Sequence, residues 1–442
     1  MAGDLQVAQG SMMNTDAYLL NSAQRRYVRL AHTAGEPLLN NITVSCWVDA
    51  KFDAIAVQRG LQAVMARHPL LRARVAVEAA GVQFLAQQQI SSPLTMTTLG
   101  DTESLVEKVR QVAQELHLRP LSFFEAPMWR FHVFVREGRL VALVLCLNHL
   151  ISDASSLRLI LQDFASAYGA ETDARLPGLA LGGHPPDLQA LAEAELLPSA
   201  EGHRRLEWNR SCFQDFLLGT TWDAGAAQPD SVGYAEAPLE WPLWLRLCAA
   251  SKAWRVRVTT LAMLALARSE RVLFGRCNCV VKTITANRQV EGSAAVVNNM
   301  FGILPVRVPA EAHEGALRTA ADALDAAYTD HERNRLPYWY LVQQLRPELY
   351  LHPYGLSDLE VNILPVVASA IVDEQQIRLG PMREATVGTP SWPEYARCLL
   401  LVPFRDGSGK LLMLYDSHEC DLATAQRQAA FVREELDRIA VA

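Results

Sequence analysis

Stretches in which apolar and polar residues alternate interleave along the chain with stretches in which apolar residues recur every three to four positions, and neither period dominates. That grammar predicts an α/β protein. Residues 43–48 read as a strand. Residues 53–67 follow as an amphipathic helix with Ile55, Leu61, Val64 and Met65 on its apolar side, stopped by Pro69. Residues 71–77 and 82–86 make a β pair. A helix over 103–116 precedes strands over 129–135 and 140–147, which Glu137-Gly138 joins as a hairpin, and 154–168 is a further helix.

From 176 the text changes to Gly, Pro and Ala, with GLALGGHPPD at its centre, and is read as a linker over about 176–200. Beyond it, helices are expected over 202–218, 241–254 and 259–273, and strands over 279–285 and 304–308. A long helix over 311–333, strands near 358–364, 397–402 and 411–415, and a closing helix over 422–439 complete the pattern. The second half repeats the element content of the first, which predicts two related subdomains, 1–180 and 181–442, without a short-period repeat. Trp222, Trp241, Trp244 and Trp254 have apolar neighbours and are expected to pack rather than to line a ligand box.

Composition narrows the class. The 442 residues are 50% hydrophobic and 20% charged, which excludes a disordered or fibrous chain. The longest apolar stretches are about half the roughly 20 residues a membrane span needs, so no span is expected. A net charge of −7 with no lysine-rich run argues against sequence-independent binding of nucleic acid, which needs a basic surface to neutralise phosphates. The eight cysteines contain no C-x-x-C and several sit in apolar runs, so neither a zinc site nor a disulfide framework is expected. The N-terminus has no basic start followed by an apolar stretch, and a cytoplasmic location is expected. His331 and His352 lie in polar segments and are read as surface residues, not metal ligands.

The sharpest local feature is LVLCLNHLISDASSLRLI, in which an apolar strand delivers His149, a short turn delivers Asp153 and a helix begins at once. A histidine leaving a buried strand onto a strand-to-helix turn is placed to face a cleft, and a nearby carboxylate can fix its tautomer. The H-x-x-x-D spacing alone carries little weight in a chain with 11 histidines. On these residues alone, a hydrogen-bonded structural histidine with Asp153 capping the helix is the more frequent outcome.

Four segments in order add to this. Ala66-Arg67-His68-Pro69-Leu70-Leu71-Arg72, Phe124-Glu125-Ala126-Pro127-Met128-Trp129-Arg130, Asn148-His149-Leu150-Ile151-Ser152-Asp153-Ala154, and Ala286-Asn287-Arg288 with Ile303-Leu304-Pro305-Val306-Arg307-Val308 together resemble the condensation-domain superfamily of acyltransferases. The resemblance extends over nearly the whole chain. It implies a V-shaped pseudo-dimer of two chloramphenicol-acetyltransferase-like subdomains, with His149 midway along a central channel that admits a thioester arm at one mouth and a nucleophile at the other. His149 would act as general base toward the nucleophile, or position it. Asp153 would be structural, paired with Arg288 from the second half. Asn148 stands where the family has a first histidine and would be a polar orienting group. Ala154 stands where the family has glycine, which alanine replaces freely if it is the first helical residue. Backbone N–H groups at the start of that helix, at Ala154 and Ser155, and the hydroxyls of Ser152 or Ser155 are the candidates for oxyanion stabilisation. Asn298-Asn299 and Gly302 replace the residues usual before the final motif strand. The Gly/Pro-punctuated segment 387–393 is read as an ordinary connection that could floor the channel.

The resemblance implies transfer of an acyl group from a phosphopantetheine thioester to a small-molecule amine or alcohol in natural-product biosynthesis, with an ester or amide as product. The thioester would be carried by an acyl or peptidyl carrier protein, or by CoA. No tightly bound cofactor is implied, and a monomer is the default. The chain has room for one such unit and little more, so the substrates would come from separate partners. Two other readings of the fold stand beside this: epimerisation of a carrier-bound substrate, with His149 abstracting the proton, and a catalytically silent module that recruits another enzyme, for which Asn148 and Ala154 are the motive. A CoA-dependent O-acyltransferase of lipid or polyketide esters is a variant of the first.

Overall fold

A computed structural model describes residues 16–34, 40–78, 81–173, 199–219, 232–288, 292–364, 371–373, 377–385, 394–405 and 407–442. The predicted linker, apart from its last two residues, lies outside them, as do Trp222 and the segment 387–393.

The first half runs β1 (Asp16–Leu19), α1 (Ser22–Ala34), β2 (Asn41–Lys51), α2 (Ala54–Arg67), β3 (Ala73–Glu78), β4 (Gly81–Ala86), β5 (Leu94–Thr98), α3 (Leu105–Leu118), β6 (Trp129–Arg136), β7 (Arg139–Asn148) and α4 (Ala154–Thr172). The second runs α5 (Ala200–Gly219), β8 (Val232–Pro238), α6 (Trp241–Trp254), α7 (Val258–Phe274), β9 (Val280–Thr285), β10 (Gly302–Arg307), α8 (Ala310–Glu314), α9 (Leu317–Arg333) and α10 (Tyr338–Leu345). It closes with β11 (Leu359–Ile363), β12 (Val372–Asp373), β13 (Arg378–Pro381), β14 (Arg397–Val402), β15 (Lys410–Asp416) and α11 (Leu422–Val441). The mixed α/β class is the predicted one.

Two six-stranded sheets dominate, in the orders β12-β13-β2-β7-β6-β5 and β10-β9-β11-β14-β15-β8, beside a small antiparallel sheet β1-β4-β3. The hairpin of β6 and β7 turns at Glu137 and Gly138, both at positive φ, the backbone a tight two-residue turn requires. In β7, Leu143, Leu145 and Leu147 join the core formed with α2 and α4, while Ala142 and Val144 pack on the other side against Val109, Val112 and Ala113 of α3. A strand covered on both faces reads as a nearly continuous apolar run, which is why this segment stands out in the sequence.

Some predictions need correction. Ile55 is 64% exposed, because it falls beside the stripe of Val57, Leu61 and Val64 that α2 turns inward. The long helix expected over 311–333 is two helices, α8 and α9, broken at Gly315, which is extended and whose N–H bonds the Glu311 carbonyl. A Cβ at 315 would lie 2.8 Å from that carbonyl oxygen. His331 is not on the surface. It is buried on the inner face of α9 between Trp208 and Phe213, where Nε2 accepts the Arg307 N–H at 3.1 Å, and burial lowers its pKa to about 4. His352 is half-buried. Trp244 and Trp254 pack in the second core.

Secondary structure reaches across between the halves. Strand β13 leaves the second half to pair with β2, with Leu379 opposite Val48, β12 pairs with the outer edge of β13, and Val372, Ile377 and Leu379 enter the first core. Helix α1 reaches the other way. Its Arg26 is fully buried, stacked 3.5 Å over the Trp339 ring and donating to the carbonyls of Tyr350 and His352.

Candidate functional site

The turn after β7 is built around Asn148. Its carbonyl accepts from Ile151 N–H and Ser152 Oγ–H, its side-chain oxygen from Leu150 N–H at 2.8 Å, and its amide donates to the Leu121 carbonyl at 3.2 Å. Leu150 and Ile151 are both fully buried and pin the turn to the first core. The residue between these anchors and Asn148 is His149, which is half-buried.

His149 is held at four points. Its N–H donates to the Asn40 carbonyl at 2.6 Å, and its own carbonyl accepts from the Asn299 amide at 2.7 Å. Its ring lies 5.2 Å from that of Phe301. Its Nδ1 is 2.7 Å from the Ser152 carbonyl oxygen. A carbonyl can only accept, so Nδ1 carries the hydrogen, and in the neutral imidazole the lone pair is on Nε2. The ring is therefore oriented as a proton acceptor by the backbone three residues on, not by a carboxylate.

Asp153 does other work. It is extended and caps α4, accepting from Ser156 N–H at 2.8 Å and Ser156 Oγ–H at 2.9 Å, with Met300 N–H at 3.2 Å on its second oxygen. Nη2 of Arg288 lies 2.8 Å from both carboxylate oxygens, and Nη1 donates to the carbonyls of Ser293 and Val296. Both side chains are less than a tenth exposed. Ala154 is the first helical residue, exposed and without positive φ, so no glycine is needed there. The Asp153 carboxylate takes the Ser156 N–H and the Asp153 carbonyl takes that of Leu157, which leaves the N–H groups of Ala154 and Ser155 at the start of the helix. Ser152 is buried with its hydroxyl on the Asn148 carbonyl, and Ser155 is half-exposed.

The structure thus brings Asn148, His149, Ser152, Asp153 and Arg288 into one cluster. It adds residues that the sequence reading did not place there: Gln24, whose amide donates to the Leu150 carbonyl at 2.8 Å, and Asn299 and Phe301. The displaced Asn298-Asn299 doublet was the one available signal for the latter pair. Among the described residues no group of three His, Cys, Asp or Glu side chains could hold a metal, and no helix is long and apolar enough to cross a membrane.

Two α/β halves thus display a histidine at a strand-to-helix turn, with an aspartate–arginine pair between them. The chain has the chloramphenicol-acetyltransferase-like fold and is similar to the condensation-domain superfamily: the sequence model of the Condensation domain matches residues 14–180. Over 433 residues, 95% of this chain, it is 22% identical to chondramide synthase cmdD of Chondromyces crocatus, of which it covers 11%. The chain spans 11% or less of the length of the curated relatives it matches. Its fold is that of the SgcC5 protein from Streptomyces globisporus (TM-score 0.78, 17% identity, 96% of this chain and 98% of that one). It is equally that of the X-domain from teicoplanin biosynthesis (TM-score 0.78, 17% identity, 98% and 97%).

Proposed function

We propose that the chain is a condensation-type acyltransferase, in which the two subdomains, 1–180 and 181–442, hold a phosphopantetheine thioester and an amine or alcohol on either side of His149. One observation carries this reading: Nδ1–H of His149 is committed to the Ser152 carbonyl, so Nε2 is the free acceptor of a half-exposed imidazole. Nε2 takes the proton of the nucleophile as its N or O attacks the thioester carbonyl carbon. The resulting oxyanion is met by the N–H groups of Ala154 and Ser155, the tetrahedral intermediate collapses with cleavage of the C–S bond, and the imidazolium returns the proton to the departing thiolate. Asp153 and Arg288 hold the loop and take no proton. The donor is a carrier-bound acyl group in this reading, with acyl-CoA sharing the same pantetheine arm.

Asn148 and Ala154, which depart from the motif of the resemblance, keep a second reading in view, a module that recruits another enzyme. The oriented His149 and the closed Asp153–Arg288 pair support catalysis over it. The test is release of free pantetheine thiol from acyl-pantetheine, acyl-CoA and acyl-carrier thioesters, with and without amine and alcohol acceptors. Acceptor-dependent release that falls about a hundredfold or more in folded His149→Ala supports transfer with His149 as base. Equal inertness of both proteins across all three donors overturns it in favour of recruitment.

A further inference from the structure

Four successive residues of the second half each touch the turn that carries His149. Asn298 donates its N–H to Ser156 Oγ at 3.1 Å, and its carbonyl oxygen lies 2.9 Å from the same hydroxyl. Asn299 donates its side-chain amide to the His149 carbonyl, Met300 donates its N–H to Asp153, and Phe301 sets its ring against the imidazole. The segment is itself held by the start of α1 and the residue before it: Asn21 Nδ2 donates to the Asn299 carbonyl at 2.8 Å, and Gln24 Nε2 donates to Asn298 Oδ1 at 2.6 Å.

We infer that Asn299 is a positioning residue for His149, fixing the imidazole through the backbone rather than touching the reacting atoms. Its side chain is wholly buried, and the His149 carbonyl, which can only accept, dictates that the NH2 group faces it. Its Oδ1 is then buried with no partner among the described residues. An unpaired buried acceptor is costly, and an apolar side chain of the same volume would avoid that cost. The amide is therefore kept for the one bond it makes. That bond and the N–H bond to Asn40 fix the peptide planes on both sides of the His149 Cα, and so the direction of Cα–Cβ. With the direction set, Nδ1 meets the Ser152 carbonyl and Nε2 is the remaining acceptor. Without the Asn299 donor, the plane between His149 and Leu150 is held only by the Leu150 N–H bond to Asn148 Oδ1, the contact to Ser152 loosens and the Nε2–H tautomer becomes accessible.

The kinetic consequence rests on the proposed role of His149 as base, whereas the tautomeric one does not. The experiment uses the whole chain with 15N-labelled histidine, the wild type against Asn299→Leu, which keeps the volume and removes the donor, and Asn299→Asp, which keeps the shape. His149→Ala assigns the His149 resonances by their disappearance. The wild type should show the Nδ1–H tautomer, and a folded Asn299 variant should shift to a mixture with Nε2–H. If Asn299→Leu does not fold, Asn299→Asp decides. In acyl transfer, kcat should fall by about tenfold to a hundredfold with KM changed less than about threefold, and the same substitution in a His149→Ala background should cost less than about twofold. An unchanged tautomer in a folded variant overturns the inference whatever the activity. A shifted tautomer in a protein that transfers no acyl group upholds it and removes the acyltransferase reading instead.

Discussion

Replacing Arg288 by alanine isolates the ion pair that ties the halves at the start of α4. The guanidinium gives Nη2 to both Asp153 oxygens at 2.8 Å and Nη1 to the Ser293 and Val296 carbonyls at 2.6 and 2.8 Å. Once it is gone, Asp153 keeps three neutral donors, Ser156 N–H, Ser156 Oγ–H and Met300 N–H, but no counter-charge in a site where it is 8% exposed. Leaving one partner of a buried pair alone costs about 3–5 kcal/mol. The three remaining donors argue for the lower end, and the two released carbonyls add up to about 1 kcal/mol each. We expect a loss of about 4 kcal/mol, a large share of the roughly 5–15 kcal/mol by which a domain is stable. Asp153→Asn with Arg288→Met removes both charges and leaves Asn an oxygen for the Ser156 N–H, so the pair of substitutions should cost much less than the sum of the two taken singly. Urea unfolding at neutral pH, followed by the fluorescence of the nine tryptophans, measures the wild type, Arg288→Ala, Asp153→Asn, Arg288→Met and the double variant. A loss below about 1 kcal/mol in Arg288→Ala, or simple additivity in the double variant, would refute the view that a desolvated charge pair holds this turn.

Three further outcomes follow from burial. Glu360 sits on β11 directly across from Lys282 on β9 and Cys398 on β14, and burial pushes its carboxyl up to about 7. A raised carboxyl contributes stability that is full below about pH 4.5 and lost as pH rises through 7, so Glu360→Gln should lose less stability than the wild type between pH 5 and 8, by up to about 3 kcal/mol in urea titrations. His331, lowered to about 4 chiefly by burial, has the opposite sign: its contribution is present above about pH 6.5 and lost as pH falls through 4. His331→Gln should flatten that acid limb. In α2, Leu61→Ala should cost about 2–5 kcal/mol and Ile55→Ala within about 0.5, read from the same titrations.

The elements that the sequence revealed are those whose burial is one-sided and periodic or wholly apolar. The run ending at Leu147 could be read because both faces of β7 are covered, and the 154–172 helix because Asp153 caps it. Gly315 breaks a pattern whose periodicity continues through it, so the split between α8 and α9 was missed. Helix α1 was missed for a different reason: its buried face carries Gln24 and Arg26, which satisfy carbonyls of distant segments and look like surface residues in the sequence. Strands β1, β12 and β13 have four residues or fewer, too few for a period of two to show. At the site, His149 and Asp153 were visible as a spacing. Arg288 is 135 residues away from Asp153 and came from the resemblance, because nothing local to Asn287-Arg288 tells which carboxylate it meets. Asn299 acts on a carbonyl 150 residues away, and backbone acceptors leave no mark in a sequence.

The return of β12 and β13 to the edge of β2 has a consequence for how such a chain can be cut and recombined. The first sheet is written in two places, 41–148 and 372–381, so a break at mid-chain does not yield a complete sheet on either side. An isolated N-terminal fragment would present the β2 edge with its N–H and C=O groups open to any passing strand, over a core missing Val372, Ile377 and Leu379. Exchange of one half for that of a relative would set a foreign strand against Cys46–Asp49, and its register would have to match before the graft could fold. Inheritance, like engineering, has reason to treat the two halves as one unit.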